Sequence, residues 1–227
     1  MPAFLALALA AVIGAVASLA AARLGTEGPL SRRTELIVLA AGALAGTVLA
    51  LSRADSLPLV ALVALGAGLL VGSAASDLRE RMVHVGLLAA GVGGMLVLAA
   101  LGPLGLRAPL LGLLFGAGAA SLLFAGGWIF SHLRGGIDPE TGERSEDYGS
   151  GDIVIWALVG VMLAALPDGF ERLAIAFLAA HLLVGVASAA ILLARPLHAR
   201  LGGADYLPLV PAIATVTLVL AAIGTLP

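Results

Sequence analysis

Residues 57–77 read LPLVALVALGAGLLVGSAASD, twenty uncharged and mostly apolar residues that end on Asp77. A bilayer core is crossed by roughly 20 apolar residues of helix, so this run has the length of a membrane span. Working outward, seven more uncharged runs appear, at 3–22, 36–51, 85–102, 109–131, 153–166, 173–194 and 207–226. The runs at 36–51 and 153–166 are the shortest of the eight. Over 227 residues, 61 % are apolar and only 11 % charged, with a mean hydropathy of +1.11, well outside the range of soluble domains. Inside a bilayer every backbone N–H and C=O needs an internal partner, and Leu/Ala-rich runs of this length provide one as helices rather than barrel strands. The expected fold class is therefore all-α: a polytopic membrane protein of about eight transmembrane helices forming one integral-membrane domain over 1–227. The first run lacks a basic segment before it, so it reads as a span and not as a secretory signal.

The composition removes several chemistries. There is no cysteine, hence no disulfide, thiol nucleophile or cysteine-ligated zinc. All twelve basic residues are arginine, which removes a catalytic or Schiff-base lysine. Their distribution is uneven. With eight spans, one side carries Arg53, Arg107 and Arg172 together with both termini. The other carries Arg23, Arg32, Arg33, Arg79, Arg81, Arg134, Arg144, Arg195 and Arg200. Nine against three in short loops makes the second side cytoplasmic by the positive-inside rule and turns both termini outward. The longest polar segment, 132–151, is an acidic cytoplasmic loop holding Asp138, Glu140, Glu143, Glu146 and Asp147. It reads as a solvated connector or as a docking surface for a basic peptide.

That loop leads into Gly149-Ser150-Gly151-Asp152, at the start of the sixth run. The span count therefore sets Asp77 and Asp152 on one face of the membrane at nearly one depth. Carboxylates near hydrocarbon are costly, and each is a functional candidate by default. Two acidic groups a few ångströms apart cannot both ionise cheaply, so one deprotonates a water while the other donates a proton to a carbonyl. Such a pair titrates as a unit, and neither residue receives a fixed protonation state. Local alternatives stand beside this. Asp152 also suits a helix N-cap, and the flanking glycines admit an extended backbone. Asp77 lies near a helix C-terminus, where the macrodipole disfavours negative charge by a few tenths to ~1 kcal/mol, and an ion pair with Arg79 or Arg81 is its ordinary explanation. The glycine pairs Gly42/Gly46, Gly68/Gly72 and Gly112/Gly116 have the spacing of close helix contacts and read as packing. His181, midway along the seventh run, reads as a hydrogen-bonded packing residue; His84 and His132 lie at the rim, and Trp128 and Tyr206 fit an interfacial belt. No His/Asp/Glu spacing reads as a metal site.

From Asp77 onward the chain resembles the type IV prepilin peptidases and archaellin leader peptidases, a family of GxGD intramembrane aspartic proteases. In that family the first aspartate ends a helix and is followed by a basic stretch, matched here by Arg79 and Arg81. Val83 and His84 stand where Pro and Asn are usual. The family's Gly-x-Gly-Asp corresponds to Gly149, Ser150, Gly151 and Asp152, with Val154 where a lysine is common. A proline-containing segment opening the last helix corresponds to Pro208 and Pro211. The resemblance implies Asp77 and Asp152 as catalytic residues and a short form without the cysteine-rich methylase segment. It also implies removal of a short basic leader from prepilin-like or archaellin-like membrane proteins at the cytoplasmic membrane face, with no metal, no cofactor and no nucleic acid. Two other readings stand beside it: a small transporter or channel using the two aspartates for cation binding or proton relay, and a homologue that has lost catalysis. The transporter reading predicts internal repeats and carboxylates deep within spans, and neither is evident.

Overall fold

A computed structural model describes residues 3–53, 55–80, 82–134, 150–193 and 209–223. Among these it contains eight α-helices, one short 3-10 turn at Leu51–Arg53 and no strand. The helices are α1 (Ala3–Leu24), α2 (Arg32–Ala50), α3 (Leu57–Glu80), α4 (Val85–Leu101), α5 (Arg107–Arg134), α6 (Ser150–Ala164), α7 (Gly169–Leu193) and α8 (Leu209–Ile223). Five stretches are long and apolar enough to cross a membrane: Ala3–Leu24, Arg32–Arg53, Leu57–Glu80, Arg107–Gly126 and Gly169–Val186. The remaining three helices are apolar but shorter. Gly149, Arg81, Pro208, Tyr206 and most of the 132–151 loop lie outside the described residues, as do the side chains of Trp128, His132 and Ser150.

Local chemistry sets several helix ends. Ser31 caps α2, its hydroxyl accepting from Thr34 N at 3.1 Å. His84 caps α4, its Nδ1 accepting from Leu87 N at 2.9 Å. The connection from α6 to α7 is tight: Asp168 adopts φ 52°, and a Cβ on Gly169 would lie 2.7 Å from the Leu163 carbonyl carbon. This turn starts α7 four residues before the apolar run that predicted it. Charge is no obstacle there, because Glu171 sits in the first turn and Arg172 reaches the Leu220 and Ala221 carbonyls at the end of α8, both at 3.5 Å.

Burial divides the helices into two kinds. In α3, 67 % of the most apolar stretch is buried, against 22–28 % in the other four long spans. From Ile155 to Leu166 every residue of α6 and its exit is buried as well. Thus α3 and α6 form the interior, and the remaining helices turn large apolar residues such as Phe4, Val12, Leu44 and Leu122 outward, as a lipid-facing surface does. The three predicted glycine pairs all lie at contacts between helices. Gly42 and Gly46 meet Gly14 of α1, Gly68 and Gly72 meet Gly14 and Ser18, and Gly112 and Gly116 meet Gly160 and Trp156 of α6. Across the α1–α2 contact the buried Ser18 hydroxyl donates to the carbonyls of Ala15 and Val38, both at 2.9 Å.

Candidate functional site

Asp77 occupies the last turn of α3 and is 8 % exposed. The hydropathy of the run ends at Ser76, yet the helix continues to Glu80, so the carboxyl belongs to the helix and not to a loop beyond it. Gly66, Leu70, Ser73 and Asp77 recur at helical spacing and form one stripe. Ser73 and Ser76, in the same final turns of α3, are buried as well, and the Ser76 hydroxyl donates to Ser73 O at 3.0 Å.

Asp152 lies in the first turn of α6, which begins at Ser150. It is a helical residue and not the cap itself, a correction to the cap reading; the polar Gly-Ser-Gly lead-in joins the helix early, whereas the apolar run begins only at Ile153. A carboxylate in this first turn still faces the favourable end of the helix dipole.

The register of the two interior helices sets their aspartates at one level. At Gly66 a Cβ would lie 3.0 Å from Met162 Cγ and Sδ of α6 and 3.1 Å from Met95 Cε of α4. Asp77 is 11 residues beyond Gly66 (77 − 66), and Gly151 is 11 residues before Met162 (162 − 151). The helices are antiparallel, so at ~1.5 Å per residue both paths climb about 16 Å in the same direction. His84 is likewise 11 residues before Met95 (95 − 84) and reaches the same level. A direct contact closes the arrangement: a Cβ on Gly151 would lie 2.6 Å from Val83 Cγ2, in the link between α3 and α4. Gly151 faces that link, and Asp152 projects about 100° further round α6, toward the side of Trp156.

Other predicted site residues have local roles. Arg79 pairs with Glu80 at 3.3 Å and donates to Pro29 O at 3.2 Å, so its guanidinium ties the α1–α2 loop to the end of α3. His84 is exposed and serves as the α4 cap. Pro211 is the third residue of α8, where a missing N–H costs nothing. His181 is a packing residue: its Nδ1 lies 2.7 Å from Phe177 O and its ring stacks on Trp156 with centroids 5.7 Å apart. Among the described residues no three His, Asp or Glu side chains gather as a metal-ligand set.

Two features of this region escaped the sequence reading. The first is the strap formed by 25–31: Glu27 N donates to Glu80 Oε2 at 2.5 Å, and a Cβ on Gly25 would lie 2.6 Å from Ser76 Oγ. Nothing in the sequence pairs Glu27 with Glu80. The second is Trp156, fully buried one turn below Asp152, its ring 4.7 Å from Phe177. The spacing Asp152/Trp156 was its available signal, since residues i and i+4 share a helix face.

Comparison with protein-family models, with curated proteins and with solved structures finds no match to this chain.

Proposed function

We propose that this protein is a membrane-embedded aspartic endopeptidase of the prepilin-peptidase kind, with Asp77 and Asp152 as its catalytic pair. The observation that carries the reading is the common level of the two carboxyls, at the same end of the two interior, antiparallel helices. In this reading all eight helices cross the cytoplasmic membrane, the arginine-rich end lies in the cytoplasm and the termini lie outside. The substrate is a membrane protein with a short basic leader before an apolar helix. Its scissile bond enters at the cytoplasmic rim.

In the reaction one carboxylate takes a proton from water as its oxygen bonds to the scissile carbonyl carbon, and the other carboxyl gives its proton to the carbonyl oxygen. The tetrahedral diol then collapses: the C–N bond breaks, the amine leaves with a proton from one carboxyl, and the other is re-protonated by the diol. Each general acid or base contributes typically ~10²–10⁴-fold. The two aspartates stand at opposite helix-dipole ends, α3 C-terminal and α6 N-terminal, so their surroundings are not equivalent.

The test is leader removal from a co-expressed prepilin by wild type, Asp77→Asn and Asp152→Asn, read by gel mobility and mass of the product N-terminus. Each substitution is expected to abolish cleavage while the protein still accumulates in the membrane. Undiminished cleavage by both variants refutes the pair.

A further inference from the structure

We propose that the contact between Val83 and Gly151 is the joint that sets the spacing of Asp77 and Asp152, which makes Val83 a positioning residue. The inference rests on the peptidase reading for its kinetic consequence, though not for its geometry. Val83 follows Asp77 by six residues, and Gly151 immediately precedes Asp152. The interior helices are thus held together at two heights, by Met162 against Gly66 in depth and by Val83 against Gly151 at the rim.

The rim contact is narrow and specific. A Cβ on Gly151 would meet Val83 Cγ2 at 2.6 Å, and the next atom, Val85 Cγ2, lies at 3.9 Å. One methyl group therefore occupies the volume that the missing side chain leaves. Val83 is half-buried and packs against the apolar interior, and it is the residue before the α4 cap His84, so its backbone is anchored on the α4 side. This gives a physical role to Val83 at a position where the resembling family has proline: a proline ring has no branched methyl to insert here.

Cβ contacts closer than 3.0 Å are essentially never seen and ordinary contact begins near 3.4 Å, so a methyl at Gly151 displaces Val83 and the start of α6 from each other by 0.4–0.8 Å (3.0 − 2.6 to 3.4 − 2.6). A shared water must be held by both carboxyls at once, and a misplacement of ~1 Å costs up to ~10²-fold in rate. Gly151→Ala is therefore expected to lower kcat about 10- to 100-fold on a purified full-length prepilin in detergent, with KM changed less than about threefold. Val83→Ala removes the methyl that collides. The double variant Val83→Ala/Gly151→Ala is expected to return to the kcat of Val83→Ala alone, a coupling that a loss of folding does not produce.

A second measurement separates this joint from the peptidase reading. The chain has no cysteine, so Asp77→Cys/Asp152→Cys gives a single defined pair for oxidation to a disulfide in membranes, a cross-link that forms only within a narrow Cβ···Cβ range. Cross-linking is expected to fall several-fold when Gly151→Ala is added and to recover when Val83→Ala is added as well. Full kcat in Gly151→Ala, a double variant no better than Gly151→Ala, or equal cross-linking in all three backgrounds overturns the joint. Absence of cleavage by wild type with the cross-linking pattern intact overturns the peptidase reading and leaves the joint standing.

Discussion

Gly66→Ala and Gly72→Ala make the same chemical change on one helix, and the packing around each predicts opposite outcomes. Both lie in the interior of α3 and are buried. In a helix interior, Ala is favoured over Gly by roughly 0.5–1 kcal/mol through backbone entropy alone. At Gly66 the new methyl meets the Met162 and Met95 side chains at 3.0–3.1 Å, near the ends of unbranched, flexible chains that shift by a few tenths of an ångström. The expected net change is within about 1 kcal/mol of wild type.

At Gly72 the methyl meets the Ser18 backbone, including its carbonyl carbon at 2.9 Å, and Ala21 Cβ at 2.7 Å. These atoms are part of α1 itself, so relief needs the two helices to separate by at least 0.7 Å (3.4 − 2.7). Overpacking of this kind costs about 1–3 kcal/mol, and interiors yield discretely because they are close-packed. Gly72→Ala is expected to be less stable than Gly66→Ala by about 2 kcal/mol. The assay is reversible unfolding in mixed micelles with rising SDS, followed by tryptophan fluorescence, since Trp156 is fully buried. Equal stability of the two variants, or the greater loss at Gly66, refutes the assigned packing of α1 on α3.

Three further outcomes follow from single contacts. Ser18→Ala removes the hydroxyl that bridges α1 to Val38 O, and bonds of this kind within membranes average ~0.6 kcal/mol, so the same unfolding assay is expected to show a loss below about 2 kcal/mol. His84→Ala removes the α4 cap and is expected to cost about 1 kcal/mol, with His84→Asn recovering most of it because the Asn oxygen accepts from the same N–H. Glu80→Gln weakens the acceptor for Glu27 N and ends the Arg79 pair; hydrogen exchange is expected to speed up in 25–31 while α1 and α2 stay protected, and unchanged exchange there refutes the strap.

The apolar runs made the helices legible because hydrocarbon demands both uncharged side chains and internal backbone bonding. Helix ends were less so. Hydropathy stops at Ser76, but backbone hydrogen bonding carries α3 through Asp77 to Glu80; it starts at Leu173, but the turn at Asp168 and Gly169 begins α7 earlier. Spacing identified which glycines pack and could not say against what. Gly14 and Ser18 of α1 and Gly160 of α6 became partners only in three dimensions. The same limit applies to the site. Asp77 and Asp152 stand out individually, whereas the Val83–Gly151 contact joins segments 68 residues apart (151 − 83) and leaves no periodic trace.

Helix length supplies the last element of the site. α5 and α6 run antiparallel with Gly116 against Trp156, and from that contact α5 continues 18 residues to Arg134 (134 − 116) while α6 continues only 6 to Ser150 (156 − 150). At ~1.5 Å per residue α5 overshoots the start of α6 by about 18 Å. By contrast α3 climbs 14 residues from Gly66 to Glu80 and α6 climbs 12 from Met162 to Ser150, so these two end within about 3 Å of each other. Among the described residues the aspartates therefore share a level that α5 overshoots and at which the cap of α4 also lies. For the proposed peptidase the shortness of α6 matters: lengthening α6 by one turn ahead of Asp152 would raise its neighbours by about 5 Å without moving Asp77.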